Sequence, residues 1–460
     1  MSEPRVLVVG AGPAGVRATE ALVAGGLRPV VVDESPRCGG QIYRQPPDGF
    51  TRPGKALYSF EAGRAQRLHR AFAALEGHID YRPETLVWNV RDGVAHTARA
   101  REQEWLRGEI PFDALIIATG AHDRVVPFPG WTSPGVYTLG GAQVALKYQG
   151  CAVGRRVAFV GTGPLLTLVA WQYAKAGTEA AAVIDSATLG TKIGALGGLL
   201  KEGAVTLAKG LYYTAGLRAR GVPLVHGALP LEAMGDGRVE GLRYRDGAGR
   251  DHEISCDAIA TGYGLAPEAR LADIAGCRFA FHGPSRQWLP ETDGDGRTAA
   301  ARVYLAGDGM GIAGATAAED RGALAAYAVL ANFGRGVPMD RVAEHRRRLG
   351  RSQRFAAALD AAFAYPADLA RAVADDTILC RCEAIRAGEL RRAARDLGAD
   401  ELNRAKALTR LAMGRCQGRI CGTASAEVLA AALSVPVERV ERLRSAAPAK
   451  PVPLAMTLEP

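Results

Sequence analysis

Twice in this chain a short apolar run breaks into glycines and then into a helix-forming stretch, an arrangement that commits the polypeptide to a parallel α/β fold. The first unit reads Val6-Leu7-Val8-Val9, then Gly10-Ala11-Gly12-Pro13-Ala14-Gly15, then an alanine-rich stretch to Gly25-Gly26 and a second strand, Val30-Val31-Val32-Asp33. An all-apolar strand is buried on both faces, as in a sheet covered by helices on each side. Gly10 permits the tight turn, Gly12 lets backbone approach a pyrophosphate, and Gly15 brings helix and strand together, with the helix N-terminus facing the anion. Asp33 stands where an acid accepts a ribose 2′-OH bond, which disfavours a 2′-phosphate. The second unit reads Arg156–Val160, Gly161-Thr162-Gly163-Pro164-Leu165-Leu166, a helical stretch to Gly177, and a strand ending Val183-Ile184-Asp185. Leu166 replaces the third glycine, so helix and strand are expected to be pushed apart or the helix shifted. Asp185 would favour NAD(H) over its phosphorylated form. Another adenine nucleotide, or a retained fold with nothing bound, are the alternatives.

Three further segments point to FAD at the first site. Gly39-Gly40-Gln41 follows the second strand, Leu115-Ile116-Ile117-Ala118 is an apolar strand ending in Thr119-Gly120, and Val303–Ala306 leads into Gly307-Asp308-Gly309. Asp308 can hydrogen-bond a ribityl chain, and the helix that follows would aim its positive end at the flavin or its phosphates. In this order the segments resemble the two-dinucleotide-binding-domain flavoproteins, the class of glutathione and thioredoxin reductases, over residues 1–335. The expected fold is therefore α/β and Rossmann-like, an FAD domain with an inserted NAD-type domain, plus a small helical domain. The expected divisions are 1–125 and 265–335 for the two parts of the FAD domain, with 126–264 inserted. A helical connector, 336–370, a helical [2Fe–2S] domain, 371–445, and a Pro-rich tail, 446–460, follow. Residues 41–112 are expected to add strands, around a turn at Arg91-Asp92-Gly93. None of Cys38, Cys151, Cys256 or Cys277 has a near cysteine partner, which argues against a disulfide reductase. Cys38, beside Gly39-Gly40, is the one expected to repay a test of thiol reactivity.

After Tyr365-Pro366 the chain turns to short arginine- and alanine-rich helices, expected over Glu389–Leu397 and Leu402–Met413. Cys380-Arg381-Cys382 sits before the first and Cys416-x4-Cys421 after the second. An antiparallel helix pair would bring these outer ends together and put four sulfurs around one centre. Three readings stay open: a [2Fe–2S] cluster, a structural zinc, or free thiols. The one-residue gap of the first pair is tight for zinc. Arg381, Arg415 and Arg419 would offset cluster charge and raise its potential. A flavin takes electrons in pairs and an iron–sulfur centre passes them singly, so the combination spells an electron relay.

Bulk composition narrows the setting. At 460 residues the chain suits two or three domains, and 48% hydrophobic with 23% charged residues is ordinary for a globular protein. The net charge of +9 is mostly scattered arginine. Its densest run, Arg346–Arg348, reads as a solvated helix face, and no nucleic-acid motif accompanies it. The best candidate membrane span, Ala313–Ala331, is broken by Glu319-Asp320-Arg321. An opening without room for a signal peptide completes the expectation of a cytoplasmic protein, with its electron acceptor as a route to the inner face of the membrane. His69, His122 and His226 lie in no recognisable acid–base constellation, so catalytic residues stay unassigned.

Gly39-Gly40-Gln41-Ile42-Tyr43-Arg44-Gln45-Pro46-Pro47, Gly161–Leu166, Cys380-Arg381-Cys382-Glu383, Cys416–Gly422 and Pro448–Leu454 occur together. The set resembles the alpha subunit of heteromeric flavin-dependent dehydrogenases. The octopine/nopaline oxidases, D-hydroxyproline dehydrogenase and hydrogen cyanide synthase are enzymes of that type. The cysteine segment is similar to the bacterioferritin-associated-ferredoxin-like [2Fe–2S] domain. The resemblance implies a division of labour. A D-amino-acid-oxidase-like flavoprotein subunit oxidises an opine, D-hydroxyproline or glycine-type substrate at a C–N bond, and a small ferredoxin-like [2Fe–2S] subunit often joins it. This chain would pass electrons to a downstream acceptor. The rivals are a stand-alone NADH-dependent ferredoxin or quinone reductase and a non-catalytic assembly subunit.

Overall fold

The strand Val6–Val9 takes the middle of a five-stranded parallel sheet because both its faces find apolar cover: Val6 and Val8 enter one core, Leu7 and Val9 another. Across the computed structural model, which describes residues 3–50, 52–101 and 104–458, that sheet runs Val303–Leu305, Ala114–Ile117, Val6–Val9, Val30–Val32, Asp80–Arg82. Helices Pro13–Ala24 and Gly314–Asn332 share the first core. They approach so closely that a Cβ on Gly322 would fall onto the Ala14 backbone. The second core is closed by antiparallel strands Thr85–Arg91, Val94–Arg101 and Glu104–Pro111, the first pair turning at Asp92 (φ 51°) and Gly93 (φ 77°). The strands expected between 41 and 112 are preceded by helices Gly54–Tyr58 and Ala62–Ala73, the latter burying Ala65, Leu68 and Phe72 on one face.

Between Ala114–Ile117 and Val303–Leu305 the chain builds a second parallel sheet. Its order is Leu224–His226, Glu179–Asp185, Arg156–Thr162, Ala258–Tyr263, Val136–Thr138. It leaves the first unit through Ala121–Asp123 and returns through Leu265–Pro267. These two strands pair antiparallel and form the seam of the insertion.

Helix Met339–Ala362 packs on the long helix Leu196–Arg218, with the Phe355 ring seated where a Cβ of Gly203 would be. Beyond it, strand Ile378–Cys380 and helices Ala387–Asp396, Leu402–Thr409 and Gly422–Leu433 enclose a core of their own, including Leu379, Leu390, Leu402, Leu411 and Val428. The expected helix to Met413 stops at Thr409 because Arg410 turns left-handed (φ 66°). The tail lies extended on the antiparallel strands: the Ala449 N–H donates to the Trp88 carbonyl at 2.8 Å and Thr457–Leu458 pairs with the strand Glu104–Pro111. Residues 459 and 460 of that arm lie outside the described residues. Among the described residues no helix is long and apolar enough to cross a membrane.

Candidate functional site

The first glycine loop is shaped by close approach. Gly10 has φ 106° and packs on the Ala118 carbonyl, and a Cβ on Gly15 would fall inside the Gly10 carbonyl. Helix Pro13–Ala24 begins at Gly12 with no side-chain cap and with proline in its first turn, leaving its first N–H groups for an anion. The Asp33 carboxylate accepts from the Ala11 N–H at 2.6 Å and from the Ser35 N–H at 2.7 Å, while burial pushes its pKa up. Gly39 donates to the Ala11 carbonyl at 2.8 Å, and Gly40 faces Gly12 closely. Gln41 beside it is exposed and accepts from Arg44 Nη2 at 3.0 Å. Gly307 abuts Ala14, and Gly309 abuts Thr119. Asp308 accepts from the Ala313 N–H at 3.2 Å. Burial raises its pKa against the pull of Arg321, whose Nη1 donates to the Gly307 carbonyl at 3.0 Å. Gly10, Gly12, Gly15, Asp33, Gly40, Gln41, Thr119, Gly120, Gly307 and Asp308 thus line one edge of the first sheet, with backbone donors at one end and a half-buried carboxylate at the other. The set fits a dinucleotide.

The second loop is built differently. Gly161 (φ 140°) is pressed against the Gly262 carbonyl, Gly163 (φ 109°) is open, and Leu166 is wholly buried among Phe159, Val169 and Ala170. Leu166 thus fills with a core side chain the position at which Gly15 leaves no room for one. Asp185 is also committed. Oδ1 accepts from Thr162 Oγ1 and from the Ala187 N–H, both at 2.9 Å, and Oδ2 accepts from Lys192 Nζ at 2.6 Å. Burial works against this carboxylate, yet His226 and Lys192 hold its pKa below the usual range.

The four C-terminal cysteines are neighbours. Cys421 shares side-chain hydrogen bonds with Cys380 and Cys416, and Cys416 shares one with Cys382. No group of three or more His, Cys, Asp or Glu among the described residues gathers to hold a metal ion. Bonding from Cys421 draws the Cys380 thiol down to about 6, with the N–H groups of Ala412, Glu383 and Cys382 adding to it. Cys416 is lowered by Cys421 too, with the N–H groups of Ile420 and Gly418 adding. Cys421, giving its proton to both, is raised. The backbone turns these N–H groups inward through left-handed residues at Ala384, Ala412, Gln417 and Gly418. Gly414 has no room for a Cβ against Cys382.

Other cysteines and histidines read plainly. Cys38 is buried, and burial pushes its thiol to about 11, in keeping with a small buried residue. Burial brings His122 down to about 4, keeping it neutral.

The cysteine loop is tied to the first site by residues that sequence reasoning missed or misread. Arg419 Nε and Nη2 grip both oxygens of the half-buried Glu268. The Glu268 main chain is held at both ends, its N–H by the Gly120 carbonyl at 2.9 Å and its carbonyl by Thr119 Oγ1 at 2.5 Å. Burial would raise Glu268, but Arg419 and Arg270 hold its pKa low. Arg419, expected to offset charge at the thiols, is neutralised by this carboxylate, and Arg415 is exposed. Arg270, from the other side, donates to the Cys416 carbonyl at 3.1 Å. Neither Glu268 nor Arg270 carries a local motif that could have marked it.

Residues 4–329 match the family model of pyridine nucleotide-disulphide oxidoreductases. The chain is 36% identical to the A subunit of opine oxidase from Agrobacterium tumefaciens (strain Ach5) over 98% of its own length and 90% of that protein. It is 32% identical to the HcnB subunit of hydrogen cyanide synthase from Pseudomonas aeruginosa, covering 91% of this chain and 90% of that one. Among solved structures it overlays L-proline dehydrogenase from P. horikoshii with a TM-score of 0.69 at 20% identity, covering 99% of this chain and 80% of the other, a likeness of fold.

Proposed function

From a chain that belongs to the pyridine nucleotide-disulphide oxidoreductase family, as a flavin-dependent subunit of the heteromeric dehydrogenase type, we infer an electron-transfer (alpha) subunit serving amino- or imino-acid oxidation. The observation that carries the reading is the bidentate Glu268–Arg419 pair, which fastens the Cys416–Cys421 loop to Thr119 and Gly120 of the first nucleotide site. FAD would supply acceptance of an electron pair and a [2Fe–2S] cluster its release as single electrons.

In this reading the first helix and its glycine loop hold the pyrophosphate, Asp33 orients the ribose, and Gly40, Gln41, Thr119, Gly120, Gly307 and Asp308 frame the rest. Cys380, Cys382, Cys416 and Cys421 are the iron ligands. The single residue between Cys380 and Cys382 is tight for one zinc ion, which needs four sulfurs about a single point. The inward N–H groups would bond the sulfurs and raise the potential. At the second site, Gly161, Gly163 and Asp185 support NAD(H) weakly, because Asp185, unlike Asp33, is ion-paired with a lysine, Lys192, besides its bonds from Thr162 and Ala187. That commitment argues against the stand-alone NADH reductase.

The substrate, of the opine, D-hydroxyproline or glycine type, would be oxidised on a D-amino-acid-oxidase-like partner. A downstream acceptor and a ferredoxin-like subunit complete the path, in the cytoplasm or at the inner face of the membrane. Anaerobic photoreduction of the purified chain, followed by low-temperature electron paramagnetic resonance, tests the relay. Appearance of a reduced [2Fe–2S] signal after the flavin bleaches is expected. An iron centre that stays oxidised, or zinc in its place, would sink it. Rapid bleaching by NADH would favour the reductase.

A further inference from the structure

Lys147 is a buried ammonium that meets no answering charge among the described residues. It sits on the π-turn Ala145–Gln149, which continues helix Leu139–Val144, and only 6% of it is exposed. Among the described residues its one hydrogen bond is a long contact of 3.5 Å from Nζ to the Ile42 carbonyl. A buried cation left this way costs several kcal/mol, so folds retain one where something outside the protein chain completes it. Burial alone, with no charged neighbour acting, brings its pKa down to about 8. π-turns recur at functional sites because they re-aim a single side chain.

The element carrying Lys147 spans two walls of the first nucleotide site. At its start the Gly140 N–H donates to both oxygens of Asp123, at 3.1 Å each, three residues beyond Gly120. Leu139, Ala142 and Leu146 anchor it in the core of the inserted unit. At its end Lys147 rests on Ile42, two residues beyond the Gly40 that faces Gly12. The ammonium is thus presented from the inserted unit to the loop that frames the distal part of the dinucleotide.

We propose that Lys147 is an electrostatic partner of the flavin ring, the fixed positive charge that steadies the negative charge the ring gains on reduction. This rests on FAD occupying the first site. The substrate's C–N bond loses two electrons and two protons to become an imine. With that oxidation on the partner subunit, two electrons passed on to FAD in this chain, taken up with one proton from solvent, would leave the reduced ring an anion, and the substrate's protons go to solvent. Lys147 exchanges no atom. Its fixed charge would make the anionic product less costly.

Lys147→Met, Lys147→Gln and Lys147→Arg, each checked for flavin content and far-UV circular dichroism, test this by dithionite titration of the flavin potential. Met and Gln are expected to bind flavin but favour its reduced form about tenfold less, about 30 mV for a two-electron couple. Arg is expected to retain most of the wild-type potential. A flavin-bound Met variant with unchanged potential would overturn the proposal. So would a Gln variant that matches wild type, since a neutral donor to Ile42 would then suffice. Wild-type protein that binds no flavin would overturn the flavin reading, and this inference with it.

Discussion

Glu427, 1% exposed, has no water to fall back on: Arg286 Nε and Nη2 donate to its oxygens at 2.6 and 2.9 Å, and Arg371 Nε adds a bond at 3.1 Å. Glu427→Ala strands two guanidinium groups, which keep some solvent, so the cost is expected at the low end for a broken buried pair, about 3 kcal/mol. A shift in the urea midpoint without a change in its slope would register it. Lys147 gives a prediction of opposite character. Its folded-state pKa, about 8, lies below the ordinary 10.5, so between these values the unfolded chain binds more protons and stability rises with pH. In cofactor-free protein this contribution is about 3 kcal/mol. Lys147→Met is expected to be the more stable at pH 7, with the difference gone above pH 10.5. Equal stability of the two at pH 7 would mean the ammonium is hydrated.

At the scale of elements, the two glycine loops separate packing from binding. Gly15→Ala places a methyl in the Gly10 carbonyl, so helix Pro13–Ala24 must lift from its strand. A large drop in melting temperature and loss of flavin together are expected. Gly12→Ala meets only the Gly40 Cα at 3.6 Å, so the fold is expected to survive while phosphate approach is blocked. Melting curves beside flavin absorbance distinguish the two outcomes. Both strand–glycine–helix units and the Asp92-Gly93 hairpin were legible because spacing alone specifies them. Helix Ala62–Ala73 was missed although Ala65, Leu68 and Phe72 keep helical spacing, because its polar faces are long and its apolar stripe narrow. The end of helix Leu402–Thr409 was not legible. Arg410 ends it in a left-handed conformation, where no glycine or asparagine marks the stop.

Across the whole molecule, the cysteine unit is held to the rest by a few strong contacts. Besides Glu268–Arg419, Arg442 grips Asp273 at 2.6 and 2.8 Å while lying 4.1 Å over the Phe279 ring, and Trp131 Nε1 donates to the Ile378 carbonyl at 2.6 Å. Glu268→Ala leaves Arg419 and Arg270 half-buried without an anion. Amide hydrogen exchange over residues 411–421 is expected to quicken, with the first sheet unchanged. Unaltered exchange there would mean that the other contacts, Arg442, Trp131 and the Arg286–Glu427 pair among them, carry the junction without it.

What the sequence by itself determined are features set by spacing along the chain: two glycine loops between strand and helix, a flavin-type series of segments, and four cysteines bracketing a helix pair. Only the tertiary structure decided which charges are answered. Asp185 meets Lys192, Arg419 meets a carboxylate 151 residues away, and Lys147 meets a carbonyl 105 residues away and, among the described residues, no charge. Local geometry fixes where a turn can form, but the potential and pKa of a buried group depend on every neighbour that folding brings within a few ångströms, and no local pattern encodes those neighbours.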